Sequence, residues 1–215
     1  LKEVFELTFL QAGLVQFAWF AAYGLLSIPG GNLISRIGYQ RGILVGLATA
    51  GIGCLLFYPA ATTRLYPLFL LALFVVAGGI TILQVAANPY ISVLGPEQSA
   101  SARLNLSQAF NSFGTTLAPV VAASFLLGDQ ILSSDAIQAL SGSDRLAYYA
   151  REASAVQVPF VMLALAFFVL AGVVGLITLP KILGGEQGNQ RGYVHVLKNK
   201  KLLFGALGIF VYVGA

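Results

Sequence analysis

LYPLFLLALFVVAGGITILQVAANPYISVL, residues 65–94, runs for thirty positions without one charged side chain. Its apolar residues do not alternate with polar ones, as a membrane-barrel strand requires over about ten residues. In hydrocarbon every backbone N–H and C=O needs an internal partner, and a helix supplies one within the segment itself. The hydrocarbon core is about 30 Å thick, so about 20 mostly apolar helical residues cross it. Residues 65–94 therefore read as a spanning helix, long enough to tilt or to carry an interfacial turn.

Working outward, four further runs have the same character: residues 10–34, 42–58, 104–127 and 156–179. A sixth begins at Leu202 and is still apolar at Ala215, so the chain reads as a piece of a longer protein. The chain is 58% hydrophobic and 9% charged, with a mean hydropathy of +0.84. Soluble domains carry about 25% charged residues, and their surfaces need them. Lipid is the solvent that this composition fits. The expected fold class is an all-α, multi-pass membrane protein of the cell membrane. No signal peptide opens the chain, because Lys2, Glu3 and Glu6 lead straight into the first apolar run with no small-residue cleavage pattern.

The charged residues fall between the runs and set the expected orientation. Eight of the twelve Lys and Arg lie in the segments after the first, third and fifth runs: Arg36, Arg41, Arg103, Lys181, Arg191, Lys198, Lys200 and Lys201. The positive-inside rule places that side in the cytoplasm. Residues 35–41, 95–103 and 181–201 are then cytoplasmic, and the segment 128–154 is an exterior loop. Such a basic excess marks loops rather than nucleic-acid binding. Gly184, Gly185, Gly188 and Asn189 give 181–201 the make-up of a cytoplasmic linker. The domains expected are a bundle over 1–180, the linker over 181–201 and the start of a second bundle over 202–215.

Gly42, Gly46, Ala50 and Cys54 recur at every fourth position and draw a stripe of small side chains along the second run. In a membrane such a stripe lets a neighbouring helix approach closely, with dispersion as the attraction. Gly78, Gly79, Gly172 and Gly175 are further candidates for close contact. Cys54 is the single cysteine and reads as a packing residue. His195 stands alone in the linker. No nucleophile–base pair or metal-ligand cluster is present, so an enzyme and a metal site are not expected.

No ionisable residue lies in the middle of the five runs, whereas pumps and proton relays usually hold one there. Amides and hydroxyls take their place. The third run carries Thr81, Gln84 and Asn88 at i, i+3 and i+7, with Pro89 next. A proline inside a helix frees a carbonyl one turn earlier and bends it. The fourth run repeats the spacing with Gln108, Asn111 and Thr115, and Asn105, Ser112 and Thr116 lie close to that face. The first run carries Gln16, Tyr23 and Ser27, with Trp19 and Phe20 nearby. An amide offers two donors and two lone pairs, and leaving it unpaired in lipid is costly. These faces suit a wet cavity around a neutral polyhydroxylated ligand, whose C–H face an aromatic ring can cover. The same amides would serve equally as hydrogen-bonded glue between helices.

Three words carry a resemblance. They are Leu83-Gln84-Val85-Ala86-Ala87-Asn88-Pro89-Tyr90, Leu94-Gly95-Pro96-Glu97, and Arg103-Leu104-Asn105-Leu106-Ser107-Gln108-Ala109-Phe110-Asn111-Ser112-Phe113-Gly114-Thr115-Thr116. Together they resemble sugar permeases of the major facilitator superfamily, in the fucose–proton symporter family, and within it the bacterial glucose/galactose transporters. Gln11 to Gly31 looks like the family's second helix, and Gly205 to Ala215 like its seventh. The resemblance implies a partial major facilitator fold: helices two to six complete, the start of seven, and helix one and most of the C-terminal half absent. Gly31-Asn32-Leu33-Ile34-Ser35-Arg36-Ile37-Gly38-Tyr39-Gln40-Arg41 resembles the superfamily's signature loop. That loop usually has Asp where Ser35 stands, which weakens its charge network while Arg36 and Arg41 remain.

What the resemblance implies is a secondary active hexose transporter of the bacterial inner membrane, cation-coupled and working by alternating access. The alternatives on the same scaffold are a transporter of a different small solute or a non-transporting sugar sensor. By the resemblance Gln108 and Asn111 lie at a central cavity, Asn88 and Gln84 line it from the next helix, and Gln16 contributes from the first run. Arg36, Arg41 and Arg103 are expected at the cytoplasmic gate rather than on sugar. In fucose–proton symporters a Glu that takes part in proton coupling stands where this chain has Gln84. Gln84 does not titrate, so the coupling ion, H+ or Na+, is left open, and no other cofactor is expected. The partners implied are the sugar and the bilayer; the oligomeric state is not legible.

Overall fold

The computed structural model describes residues 9–63, 65–126, 139–180 and 204–205. Five long helices make up the compact unit over residues 1–180. They are α1 (Phe9–Ile37), α2 (Tyr39–Thr63), α3 (Tyr66–Val93), α4 (Ala100–Leu126) and α5 (Gly142–Leu176), with a single 3-10 turn at Glu97–Ser99 ahead of α4. No strand occurs among the described residues. The linker 181–201 and the C-terminal run, apart from Phe204 and Gly205, lie outside the described residues, as does His195.

Contacts order the helices as a row: α1 against α3, α3 against α2, and α2 against α5. Sequence neighbours α1 and α2 barely touch although one residue separates them. That residue is Gly38, at φ 83°, in the left-handed region that a side chain disfavours. Its N–H donates to the carbonyl of Ile34 at 2.8 Å, which closes α1 and turns the chain directly into α2.

The centre of the row is the α2–α3 contact, made by the stripe read from the sequence. Gly42, Gly46, Ala50 and Cys54 are all buried. A Cβ added to Gly79 would stand 2.3 Å from the backbone nitrogen of Ala50, and one added to Gly46 would stand 2.7 Å from that of Leu83. The two backbones touch, which only hydrogen at these positions permits. Gly78 turns the other way, towards Leu26 of α1. Gly172 and Gly175 do not act in this manner: nothing approaches the first within 4 Å, and the second meets only a Leu44 methyl at 3.8 Å. Beyond the glycines, Phe57 stacks on Phe160 of α5 at 3.8 Å and meets Phe69 of α3 edge-on at 5.1 Å. These rings form the core with Cys54, Ala60, Ala72, Val76 and Ala164.

One sequence expectation needs correction. The segment 128–154 is not loop throughout, because α5 already begins at Gly142. Ser141 caps it, its hydroxyl oxygen accepting from the N–H of Asp144 at 3.3 Å. The residues that follow include Arg145, Leu146, Ala147, Ala150, Arg151, Glu152 and Ala153, all strong helix formers. A count of apolar length passes over a polar helical extension of this sort. At 1.5 Å per residue the 35 residues of α5 extend about 52 Å, well beyond the apolar thickness, and the apolar span is Gln157–Leu176. The first run keeps close to its expected extent, 10–34, and passes through Pro29, Gly30 and Gly31 as helix. α1 continues to Ile37, with Gly30 buried against Ile82 of α3.

Each of the five helices holds one interior proline: Pro29, Pro59, Pro89, Pro119 and Pro159. Four of the described helices are both long enough and apolar enough to span a bilayer. α4 has the length, 27 residues, but its amides and hydroxyls hold its hydropathy down.

Candidate substrate site

α3 carries the first amide row, and the structure divides it. Thr81 is buried and returns its hydroxyl to the carbonyl of Ala77 in its own helix at 2.7 Å. It belongs to the packing. Gln84 is exposed and Asn88 is half-buried. The Nε2 of Gln84 donates across the α1–α3 boundary to the Tyr23 hydroxyl at 3.5 Å. Tyr23 is half-buried, and the Trp19 ring lies 6.3 Å away, one turn earlier on α1. Gln16 is exposed on the same side of α1 as Tyr23, two turns before it.

α4 carries the second row. Thr115 and Thr116 both donate to the carbonyl of Ser112 at 2.9 Å. Gln108 and Asn111 are exposed, and among the described residues neither amide has a hydrogen-bond partner. α4 meets α3 and α5 only lightly. The structure thus joins Gln84 to Tyr23 and sets Asn88 one turn along from Gln84. It does not bring Gln108 or Asn111 into hydrogen-bond contact with either of the α3 amides.

Arg103 ties the foot of α4 to the end of α3. Its Nε donates to the carbonyl of Ile91 at 3.0 Å and its Nη2 to that of Ser92 at 2.7 Å. Its Nη1 reaches the carbonyl of Pro96 at 3.1 Å and the hydroxyl of Ser99 at 2.5 Å. The guanidinium fork so caps the last turn of α3, where carbonyls lack partners and the helix dipole favours a cation. All four partners lie between residues 91 and 99, a local corner rather than a contact with a distant element. Arg36 and Arg41 are exposed at the turn between α1 and α2. Ser35, standing where the signature loop usually has Asp, donates only to the nearby carbonyl of Asn32 at 2.7 Å.

One polar contact was not singled out from the sequence. The Gln40 amide donates to the carbonyls of Val174 and Ile177 at 2.9 and 2.6 Å, closing the C-terminus of α5. The Tyr90 hydroxyl adds a bond to the carbonyl of Pro180 at 3.4 Å, with the Tyr39 ring 5.7 Å from that of Tyr90. Gln40 stands in a word read for its charges, and nothing in the spacing marks a neutral side chain there. At the opposite end, Gln157 donates to the Thr62 hydroxyl at 2.8 Å and Tyr66 to the carbonyl of Gln11.

The described residues thus form a row of apolar spans with neutral amides left open on α3 and α4. The Major Facilitator Superfamily model matches residues 1–215, and the chain belongs to that superfamily. It is 48% identical over 222 residues to the glucose/galactose transporter of Brucella abortus, covering 100% of this chain and 49% of that protein. The L-fucose-proton symporter of Escherichia coli is 34% identical over 221 residues, again with 100% of this chain and 50% of the relative. The crystal structure of the E. coli fucose:proton symporter superposes with a TM-score of 0.74 at 38% identity, over 82% of this chain and 43% of that one. The chain spans about half the length of the curated relatives it matches.

Proposed function

We propose that this chain supplies one part of a secondary active hexose transporter of the cytoplasmic membrane, cation-coupled and working by alternating access. The observation that carries the reading is the 48% identity to a glucose/galactose transporter, which extends over the whole chain. The chemistry agrees with it. A sugar hydroxyl both donates and accepts, and an amide matches both roles. Gln108 and Asn111 of α4 and Gln84 and Asn88 of α3 are the side chains assigned to the sugar, with Gln16 at the margin. Substrate sites of such carriers lie near the bilayer midplane between repeated bundles, and rocking exposes them to one side at a time. The second bundle is assigned to the remainder of the protein, with residues 181–201 as the linker to it. Gln84 is neutral at every pH and cannot itself carry a coupling proton, so the choice between H+ and Na+ is left to the gradient experiment.

The test is uptake of radiolabelled glucose and galactose by the full-length protein in proteoliposomes, under an imposed proton or sodium gradient. Accumulation above the external concentration that collapses with the gradient is the expected result. Uptake no faster than in protein-free vesicles overturns the reading.

A further inference from the structure

Most Ser and Thr hydroxyls on α1 to α4 satisfy themselves on their own backbone. Ser27 donates to Gly24, Thr81 to Ala77, and Thr115 and Thr116 to Ser112. Tyr23 does not follow them. Its ring holds the hydroxyl away from the carbonyls of α1. The contact it makes among the described residues is the one from Gln84 Nε2, and there the phenol oxygen is the acceptor. Its own O–H donor therefore has no described partner. Gln84 is the complement. Its nitrogen is turned towards Tyr23, so its Oε1 is left as an acceptor, again with no described partner.

Both residues sit well inside their helices, Tyr23 midway along Phe9–Ile37 and Gln84 two-thirds along Tyr66–Val93. Lipid tails offer neither a donor nor an acceptor at that depth, so an O–H and a C=O that no described residue meets call for water, a ligand or a segment outside the described residues. One donor and one acceptor, side by side on two packed helices, are what a single hydroxyl needs. Trp19 packs against the core cluster one turn earlier and fixes one wall beside the Tyr23 ring.

We propose that Tyr23 and Gln84 form one subsite for a single sugar hydroxyl, with Tyr23 Oη–H donating to its oxygen and Gln84 Oε1 accepting its proton. The subsite rests on the hexose-transport reading and adds Tyr23 as a specificity-determining residue on α1. Removing one partner of a buried hydroxyl lowers affinity by roughly tenfold. A hydroxyl that the ligand lacks from the start cannot lose a partner.

The experiment measures binding of glucose, galactose and the series of monodeoxy hexoses to full-length wild type, Tyr23→Phe and Gln84→Leu. Both variants are expected to bind the parent hexose about tenfold more weakly, at wild-type melting temperature. For one monodeoxy sugar, the same one in both variants, the loss should vanish. Unchanged affinity in Tyr23→Phe, or an equal loss across the whole series, overturns the subsite. So does sparing of different sugars by the two variants. Should Tyr23→Phe fail to fold, Gln84→Leu alone must still spare a single monodeoxy sugar. A wild-type protein that binds no hexose overturns the transport reading and the subsite with it. Wild-type binding with indifferent variants overturns the subsite alone.

Discussion

Gln108 and Asn111 are the residues on which the amide argument is most sharply divided. Glue residues hydrogen-bond across helix boundaries, and neither amide does so among the described residues. They are three residues apart, so they share a face of α4. If that face meets the sugar, truncating either leaves a substrate hydroxyl unpaired at about 1–3 kcal/mol. At about 1.4 kcal/mol per tenfold, that is roughly a five- to hundredfold loss of affinity. Gln108→Ala and Asn111→Ala in the full-length protein are expected to weaken hexose binding by this order. Their melting temperatures should change far less, because water refills the gap. Binding titrations and melting curves on the purified variants decide. Normal binding with early melting would make both amides glue. Thr81 shows how that outcome looks, since its hydroxyl is buried and taken up by its own helix.

At the scale of helices the decisive contact is α2 on α3. A Cβ on Gly79 would lie 2.3 Å from the Ala50 nitrogen, and the obstruction is backbone, which cannot swing aside as a long side chain can. Gly79→Val is therefore expected to destabilise the folded protein by about 3 kcal/mol or more, by forcing the two helices apart. Gly172→Ala meets nothing within 4 Å and should stay within about 0.5 kcal/mol of wild type. Thermal unfolding in detergent separates them, and equal melting would show that the α2–α3 spacing is not set by this glycine. The contact was legible in the sequence because a four-residue period of small side chains has one physical use in a membrane. Gly172 and Gly175 were not separable from it, since two small residues carry no record of which face is turned to a neighbour. The polar start of α5 was illegible for a different reason. Apolar length marks where a helix crosses lipid, and residues 142–156 are helical without being apolar. Their signal is the Ser141 cap and the helix formers behind it. At the site, the amides were legible by residue type, whereas the Tyr23–Gln84 pairing depends on how α1 rotates against α3, which no single-helix pattern encodes.

For the whole molecule, the open question is which end of the bundle faces the cytoplasm, and the structure sharpens it. The Gln40 and Tyr90 bonds bring the α1–α2 turn, the end of α3 and the exit of α5 to one end, so Arg36, Arg41 and Arg103 share it. The Gln157 and Tyr66 bonds gather the start of α1, the end of α2, the start of α3 and the apolar start of α5 at the other. Arg36, Arg41 and Arg103, with the five basic residues of 181–201 that follow α5 in sequence, outnumber the four elsewhere, Lys2, Arg64, Arg145 and Arg151, and Asp144 lies with Arg145 on the polar extension of α5. Basic residues in short loops are retained on the cytoplasmic side during insertion, while acidic ones count for little. The end with Arg36, Arg41 and Arg103 is thus expected inside and the start of α5 outside. Two exposed positions report on this, Gln98 in the turn before α4 and Ser143 at the start of α5. Cys54, the single cysteine of these 215 residues, is buried, and Cys54→Ser, with every cysteine of the remaining chain replaced as well, provides a clean background. In intact cells a membrane-impermeant maleimide should label Ser143→Cys and leave Gln98→Cys untouched until the membrane is opened. Both variants should then react equally, because both positions are exposed. Labelling of Gln98→Cys in sealed cells, with Ser143→Cys protected, would invert the bundle and place the Arg103 corner on the exterior. A cation capping the end of α3 there would remain a structural brace, but it would have no place at a cytoplasmic gate.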